Sequence, residues 1–281
     1  MRAARPWLLL LPALVVLGGL FLGGIAMAVA RSLGITPTSG LSGFTLDAYR
    51  AVLSDQDIGL SLALSLWIAG ASTALSALLA VPAALALRRV ARGPVTFLFQ
   101  LNLTIPHLVG AIGILYLFSQ SGSFARLAHA FGAIERPGEF PALVHDPAAI
   151  GILLTYVWKE LPFLGLVVLA QLQSLDRDFE AVARSLGASA WQRFRHVTLP
   201  MIAPGLVAAS ALVFAFTFGA YEVPALLGQN HPQALPVLAW RAFTDVDLDA
   251  RPEAMALSVL IALVSAGLLW LYLRAFRAAP R

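Results

Sequence analysis

Asp176–Gly205 reads DRDFEAVARSLGASAWQRFRHVTLPMIAPG, a polar interlude between two strongly apolar segments. Its pattern is helix, turn, helix. Ala181, Ala183, Leu186 and Ala188 line one side of a short helix beginning near Asp178, and Gly187 lets the chain turn. Trp191, Phe194 and Val197 then recur at i, i+3 and i+6 as a second apolar stripe, closed by Leu199-Pro200. A polar element with its own apolar stripe, trapped between membrane spans, must press that stripe against something, and the reading is another protein.

Working outward, the composition identifies the solvent of the remaining chain. Of 281 residues 59% are apolar and 12% charged, about half the charge of an ordinary soluble domain, so lipid surrounds much of the surface. Runs near or above about 18 apolar residues predict an all-α, polytopic membrane protein with about six spans. These fall near 7–30, 58–87, 95–118, 148–172, 201–227 and 252–273. The first run is longer than a signal-peptide core, although Ala28-Val29-Ala30 has the small residues of a cleavage site, so it reads as a span. Short surface helices are expected within 47–57 and 126–134. The organisation reads as residues 1–57, a first span with its outer segment, followed by a five-span core at 58–281 that carries the polar loop 176–200.

Charge sets the orientation. Twelve arginines (2, 5, 88, 89, 92, 177, 184, 193, 195, 274, 277 and 281) fall on the side of the termini, against six (31, 50, 126, 136, 241 and 251) across the membrane. Only Asp176, Asp178 and Glu180 share the basic side, so the positive-inside rule places both termini and the polar loop in the cytoplasm. Arginines distributed over span ends also account for the basic pI without nucleic acid. The absence of cysteine excludes thiol chemistry and disulfides, and the scattered histidines have no metal-ligand spacing. No inverted repeat with matching broken spans argues for an ion-gradient-driven secondary transporter, the main alternative.

The loop resembles the EAA loop of binding-protein-dependent ABC importer permeases of type I. The matches are Glu180, Ala181, Ala183 and Gly187, then nine residues, then Val197, Leu199 and Pro200. Glu180 departs from the pattern, lying seven residues before Gly187 where the family's usual glutamate lies six before. WKELPFLGLVVLAQLQSLDRDFE (158–180) resembles the fourth-span approach to the loop in these permeases, and FTFGAYEVPALLG (216–228) followed by QALPVLAWRAF (233–243) is similar to the region after the loop in the spermidine/putrescine, iron(III) and thiamine branch. The resemblance implies a permease subunit of the bacterial inner membrane, with no enzymatic activity and no cofactor of its own. ATP would be bound by two separate ATPase subunits, in keeping with the absence of a G-x-x-x-x-G-K-[ST] loop. A second permease subunit and a periplasmic binding protein would complete the importer, with a polyamine as the expected solute. The resemblance makes the loop a coupling helix seated in a groove of the ATPase. Ala183, Leu186, Gly187, Ala188 and Trp191 are the expected contacts, and Arg184 and Arg193 the rim.

Polar and aromatic residues inside the spans give the pathway candidates: Asn102, Trp158, Lys159, Glu160, Phe218, Tyr221 and Glu222. Carboxylates at mid-membrane suit a cation, whereas Lys159 suits an anion. His107, next to Pro106, reads as a helix-packing hydrogen-bonder.

Overall fold

The structure is a computed structural model that describes residues 5–35, 43–90, 93–174, 177–247 and 250–278. Every regular element among the described residues is helical, and six stretches are long and apolar enough to cross a membrane. In chain order the α-helices are α1 (Arg5–Ser32), α2 (Asp47–Ser54), α3 (Gln56–Val90), α4 (Pro94–Leu101), α5 (His107–Phe118), α6 (Ser123–Ala130), α7 (Ile150–Ser174), α8 (Arg177–Ser185), α9 (Ala190–Arg193), α10 (Leu199–Gly219), α11 (Glu222–Leu227), α12 (Leu235–Thr244) and α13 (Arg251–Ala278).

Two compact units emerge, one of residues 1–61 with 235–264 and one of residues 62–234 with 265–281. In the first, the leucines and valines of α1 from Leu9 to Leu22 are exposed, as a helix immersed in lipid requires. Its last turn is tied down by a 2.8 Å hydrogen bond between the Ser32 and Tyr49 hydroxyls, and the Leu33 carbonyl accepts from the Thr45 N–H at 2.9 Å.

In the second unit α3, α7 and α10 form the core. Val81, Ala84 and Leu87 of α3 pack with Val168, Leu169 and Leu172 of α7 and with Ile202 of α10. Ala80, Leu164, Ala209 and Val213 continue the same seam along the helices. With lipid outside, close packing between helices must hold such a seam together, and small residues permit it. Gly165 shows how tightly: a Cβ there would lie 2.8 Å from the Phe99 ring.

Two expected spans are interrupted. The third, predicted as one helix over 95–118, consists of α4, a 3-10 turn at Asn102–Thr104, an extended Ile105-Pro106 pair and then α5. Proline forces this, because it lacks an N–H and drives the preceding residue out of helical geometry; Ile105 has φ −79° and ψ 125°. The fifth ends earlier than predicted, at Gly219, so Glu222 opens the separate helix α11.

Candidate functional site

Two constellations in the second unit carry the chemistry. The first lies where the broken third span meets α7. Pro162 stands inside α7 and cannot donate to the carbonyl four residues earlier, leaving the Trp158 carbonyl without its helical partner. The Asn102 side-chain amide fills that vacancy by donating to the Trp158 carbonyl. Pro106 likewise cannot donate to the Asn102 carbonyl. There the Lys159 ammonium donates to it at 2.6 Å and also to the Ile105 carbonyl. The Trp158 carbonyl thus takes its donor from the opposite segment, and the Asn102 carbonyl, which also accepts from the Ile105 N–H at 3.2 Å, takes a second donor there, as irregular backbone at membrane depth requires.

Neighbouring residues complete the lock. Glu160, 8% exposed, faces the His107 imidazole, with Oε1 and Nε2 2.9 Å apart. The His107 ring lies 4.9 Å from the Phe216 ring of α10, centroid to centroid. Gly110 admits the Trp158 indole, since a Cβ at that position would come within 2.7 Å of the ring. Four of the seven pathway candidates (Asn102, Trp158, Lys159 and Glu160) therefore meet at one knot. Phe218 is buried and stacks at 6.0 Å on Phe214, and Glu222 is exposed in the first turn of α11. Tyr221, half-buried, immediately precedes α11.

The second constellation is the polar hairpin. α8 ends in a Schellman turn: the Ala188 N–H donates to the Ala183 carbonyl (3.0 Å) and the Gly187 N–H to the Arg184 carbonyl (3.0 Å). Gly187 has φ +81°, the left-handed region that glycine enters without strain. Two residues on, Ser189 opens α9 with a capping box. Its hydroxyl accepts from the Gln192 N–H (3.3 Å), and the Gln192 side chain accepts from the Ser189 N–H (2.8 Å). Arg193 donates to the Ala188 carbonyl at 2.7 Å, bracing the turn from inside, so it is a support as well as a charge.

Through a π-helical turn at Phe194–Thr198, α9 runs into α10. Gln171 of α7 then clasps the start of α10, its Nε2 donating to the Ile202 carbonyl (2.8 Å) and its Oε1 accepting from the Gly205 N–H (3.1 Å). The hairpin is therefore fastened to the spans on which any movement of it would act.

Its outer surface is apolar and uncovered. Leu186 is 81% exposed and Trp191 65%, with Phe179 and Val182 both 57%. Phe179, Val182 and Leu186 recur at i, i+3 and i+7 and share one side of α8. Ala183 and Ala188, expected beside them, are half-buried, whereas Ala181 and Arg184 are exposed. The exposed Phe179 and Val182 escaped the sequence reading, which followed the small alanines, although their period was legible. Leu199 is half-buried and Pro200 exposed at the start of α10; Glu180 belongs to α8 by its backbone, and its side chain lies outside the described residues.

Comparison with known proteins gives this arrangement its context. Residues 72–278 match the family model described as a binding-protein-dependent transport system inner membrane component. The molybdenum transport system permease protein ModB of Mycobacterium tuberculosis is 33% identical over 214 residues, covering 73% of this chain and 75% of that protein. The putrescine transport system permease protein PotI of Escherichia coli K12 is 29% identical over 224 residues, covering 78% of this chain and 73% of PotI. A chain of a bacterial ABC transporter involved in import of the acidic polysaccharide alginate shares the fold, with a TM-score of 0.76 at 18% identity over 99% of this chain and 97% of that one. Permeases of this kind are non-enzymatic, carry no cofactor and leave ATP to a partner ATPase. The chain belongs to the family of binding-protein-dependent transport system inner membrane components, as a multi-pass permease of an ABC importer.

Proposed function

We propose that residues 177–200 are the coupling element of this permease, docking on an ATPase subunit and transmitting its closure to α7 and α10. The observation that carries the reading is the uncovered face of Phe179, Val182, Leu186 and Trp191 on a hairpin braced from within. An exposed apolar stripe on a short helix suits the helix-in-groove mode, with Gly187, Ala188 and Arg193 holding its shape. The arginine distribution supports cytoplasmic termini, hence a cytoplasmic hairpin. Two permease subunits, identical or related, and two ATPase subunits would make up the membrane assembly.

For the solute, the fate of the charges favours a small organic cation of the polyamine class. Two carbonyls occupy the Lys159 ammonium, while Glu222 remains exposed beside Tyr221. The charge left to a pathway wall is thus negative. A molybdate-like oxyanion is the second reading, favoured by the 33% identity to the molybdenum permeases. The test is reconstitution of the chain with its ATPase and binding protein in liposomes. ATP-dependent uptake of putrescine but not molybdate is expected; molybdate uptake alone would reverse the solute assignment, and no co-purifying ATPase would remove the coupling reading.

A further inference from the structure

Behind the coupling hairpin lies a cleft of about 500 Å³ lined by Leu85, Arg88, Arg89, Ala181, Arg184, Ala190, Arg193, Phe194 and Thr198. Four of these nine residues are arginines and none is acidic. Its position narrows the anion that would enter. Arg88 and Arg89 stand at the end of the apolar stretch Gln56–Arg89, and Phe194 and Thr198 near the start of Ala190–Gly219. The cleft therefore opens where two spans leave the hydrocarbon, with Leu85 one turn deeper than the guanidinium groups.

Helix geometry separates this cleft from the docking face. At about 100° per residue, Ala181 and Arg184 lie roughly 160° around α8 from the mean direction of Phe179, Val182 and Leu186. A protein seated on the apolar face would approach from the other side of α8. A ligand reaching the cleft from the membrane boundary would meet arginine heads above a leucine.

We propose that this cleft binds the phosphate of an anionic phospholipid, with the guanidinium groups holding the headgroup and an acyl chain running past Leu85. Guanidinium suits a phosphate ester because it offers paired N–H donors in one plane. Basic pockets between spans on the cytoplasmic side recruit such lipids, and anionic lipid is concentrated at that surface. The proposal takes its leaflet from the cytoplasmic orientation proposed above, but binding itself does not depend on the ATPase. A bound lipid would bridge Arg88 and Arg89 to Arg184 and Arg193 and cement the rear of the hairpin to the end of α3.

The test is native mass spectrometry of the full chain in detergent, titrated separately with phosphatidylglycerol, phosphatidylcholine and inorganic phosphate. A stoichiometric phosphatidylglycerol adduct is expected, with neither phosphatidylcholine nor phosphate competing. Arg88→Gln with Arg89→Gln should weaken the adduct by about 25-fold, roughly fivefold for each charge, and the paired Lys replacements should retain most of it. Ala190→Trp fills the cleft while keeping every charge, so it should displace the lipid without disturbing charge-determined topology. Equal binding of inorganic phosphate would make this a soluble-anion site, and an adduct indifferent to both the glutamine pair and Ala190→Trp would refute the proposal. Loss of the adduct on addition of the ATPase would instead assign the arginines to a protein contact. Because no ATPase is needed for the titration, failure here leaves the coupling reading standing, and a failed coupling assay leaves this result standing.

Discussion

The donation from Asn102 to the carbonyl that Pro162 leaves open yields a prediction whose size follows from the contacts. Asn102→Ala removes the side-chain donor to the Trp158 carbonyl. An unpaired buried carbonyl costs about 1–3 kcal/mol, although side-chain hydrogen bonds within membranes average nearer about 0.6 and reach about 1.7. Asn102 Oδ1 is itself buried without a partner, so its removal returns part of the cost, and a net loss of about 1 kcal/mol is expected. Pro162→Ala changes the outcome. Position 162 lies in a continuous helix and would gain an N–H aimed at the Trp158 carbonyl, making the asparagine redundant. In the Pro162→Ala background, Asn102→Ala should cost nearly nothing, giving a coupling energy of about 1 kcal/mol in the double-mutant cycle. Reversible unfolding in mixed micelles of dodecylmaltoside and SDS would measure it. Additivity to within about 0.5 kcal/mol would show that Asn102 does not answer to Pro162, and the reasoning would fail.

Other consequences follow from the hairpin and its fastening. Gly187 has open space around it but φ +81°, so Gly187→Val should destabilise the turn by about 1–2 kcal/mol through backbone strain alone. Faster amide exchange at residues 183–192 would register this, with Gly187→Asn much closer to the parent. Gly205→Ala would put a Cβ 2.0 Å from the Gln171 amide, driving that side chain off the Ile202 carbonyl. It should cost about 1 kcal/mol in the same unfolding assay and add little to Gln171→Leu. Since the chain has no cysteine, Ser189→Cys gives a single label site, which an impermeant maleimide should reach in inside-out but not right-side-out vesicles. Glu222→Gln should reduce putrescine uptake at least severalfold while leaving ATPase binding intact, as measured in the reconstituted transporter.

Hydropathy made the number of spans legible, and the limits of the first, second, fourth and sixth to within about two residues, because lipid demands a continuous apolar length. The hairpin was legible for a different reason: Gly187 and Ser189 are residues whose local chemistry ends one helix and begins another. The interrupted third span was harder. Pro106 announced a kink, but nothing local to it says that Lys159, 53 residues later, would complete the backbone there. Lys159 and Glu160 looked like pathway charges because an ionisable residue in a span usually has work to do. Their partners, the Asn102 and Ile105 carbonyls and His107, occupy them in holding the helices together. Gln171 and Gly205 carried no signal, since their pairing depends on the register of α7 against α10, which tertiary packing decides.

The coupling role is tested most directly at Leu186. Its side chain is 81% exposed, so Leu186→Asp should leave the folding of the permease within about 0.5 kcal/mol of the parent. If Leu186 anchors the hairpin in the ATPase, losing it should cost at least about 2 kcal/mol of docking, roughly 30-fold in affinity. The decisive measurement is ATP-driven solute uptake by the reconstituted transporter carrying Leu186→Asp at limiting ATPase concentration. The account predicts that uptake is lost while the permease remains inserted and folded; uptake equal to that of the parent would contradict it.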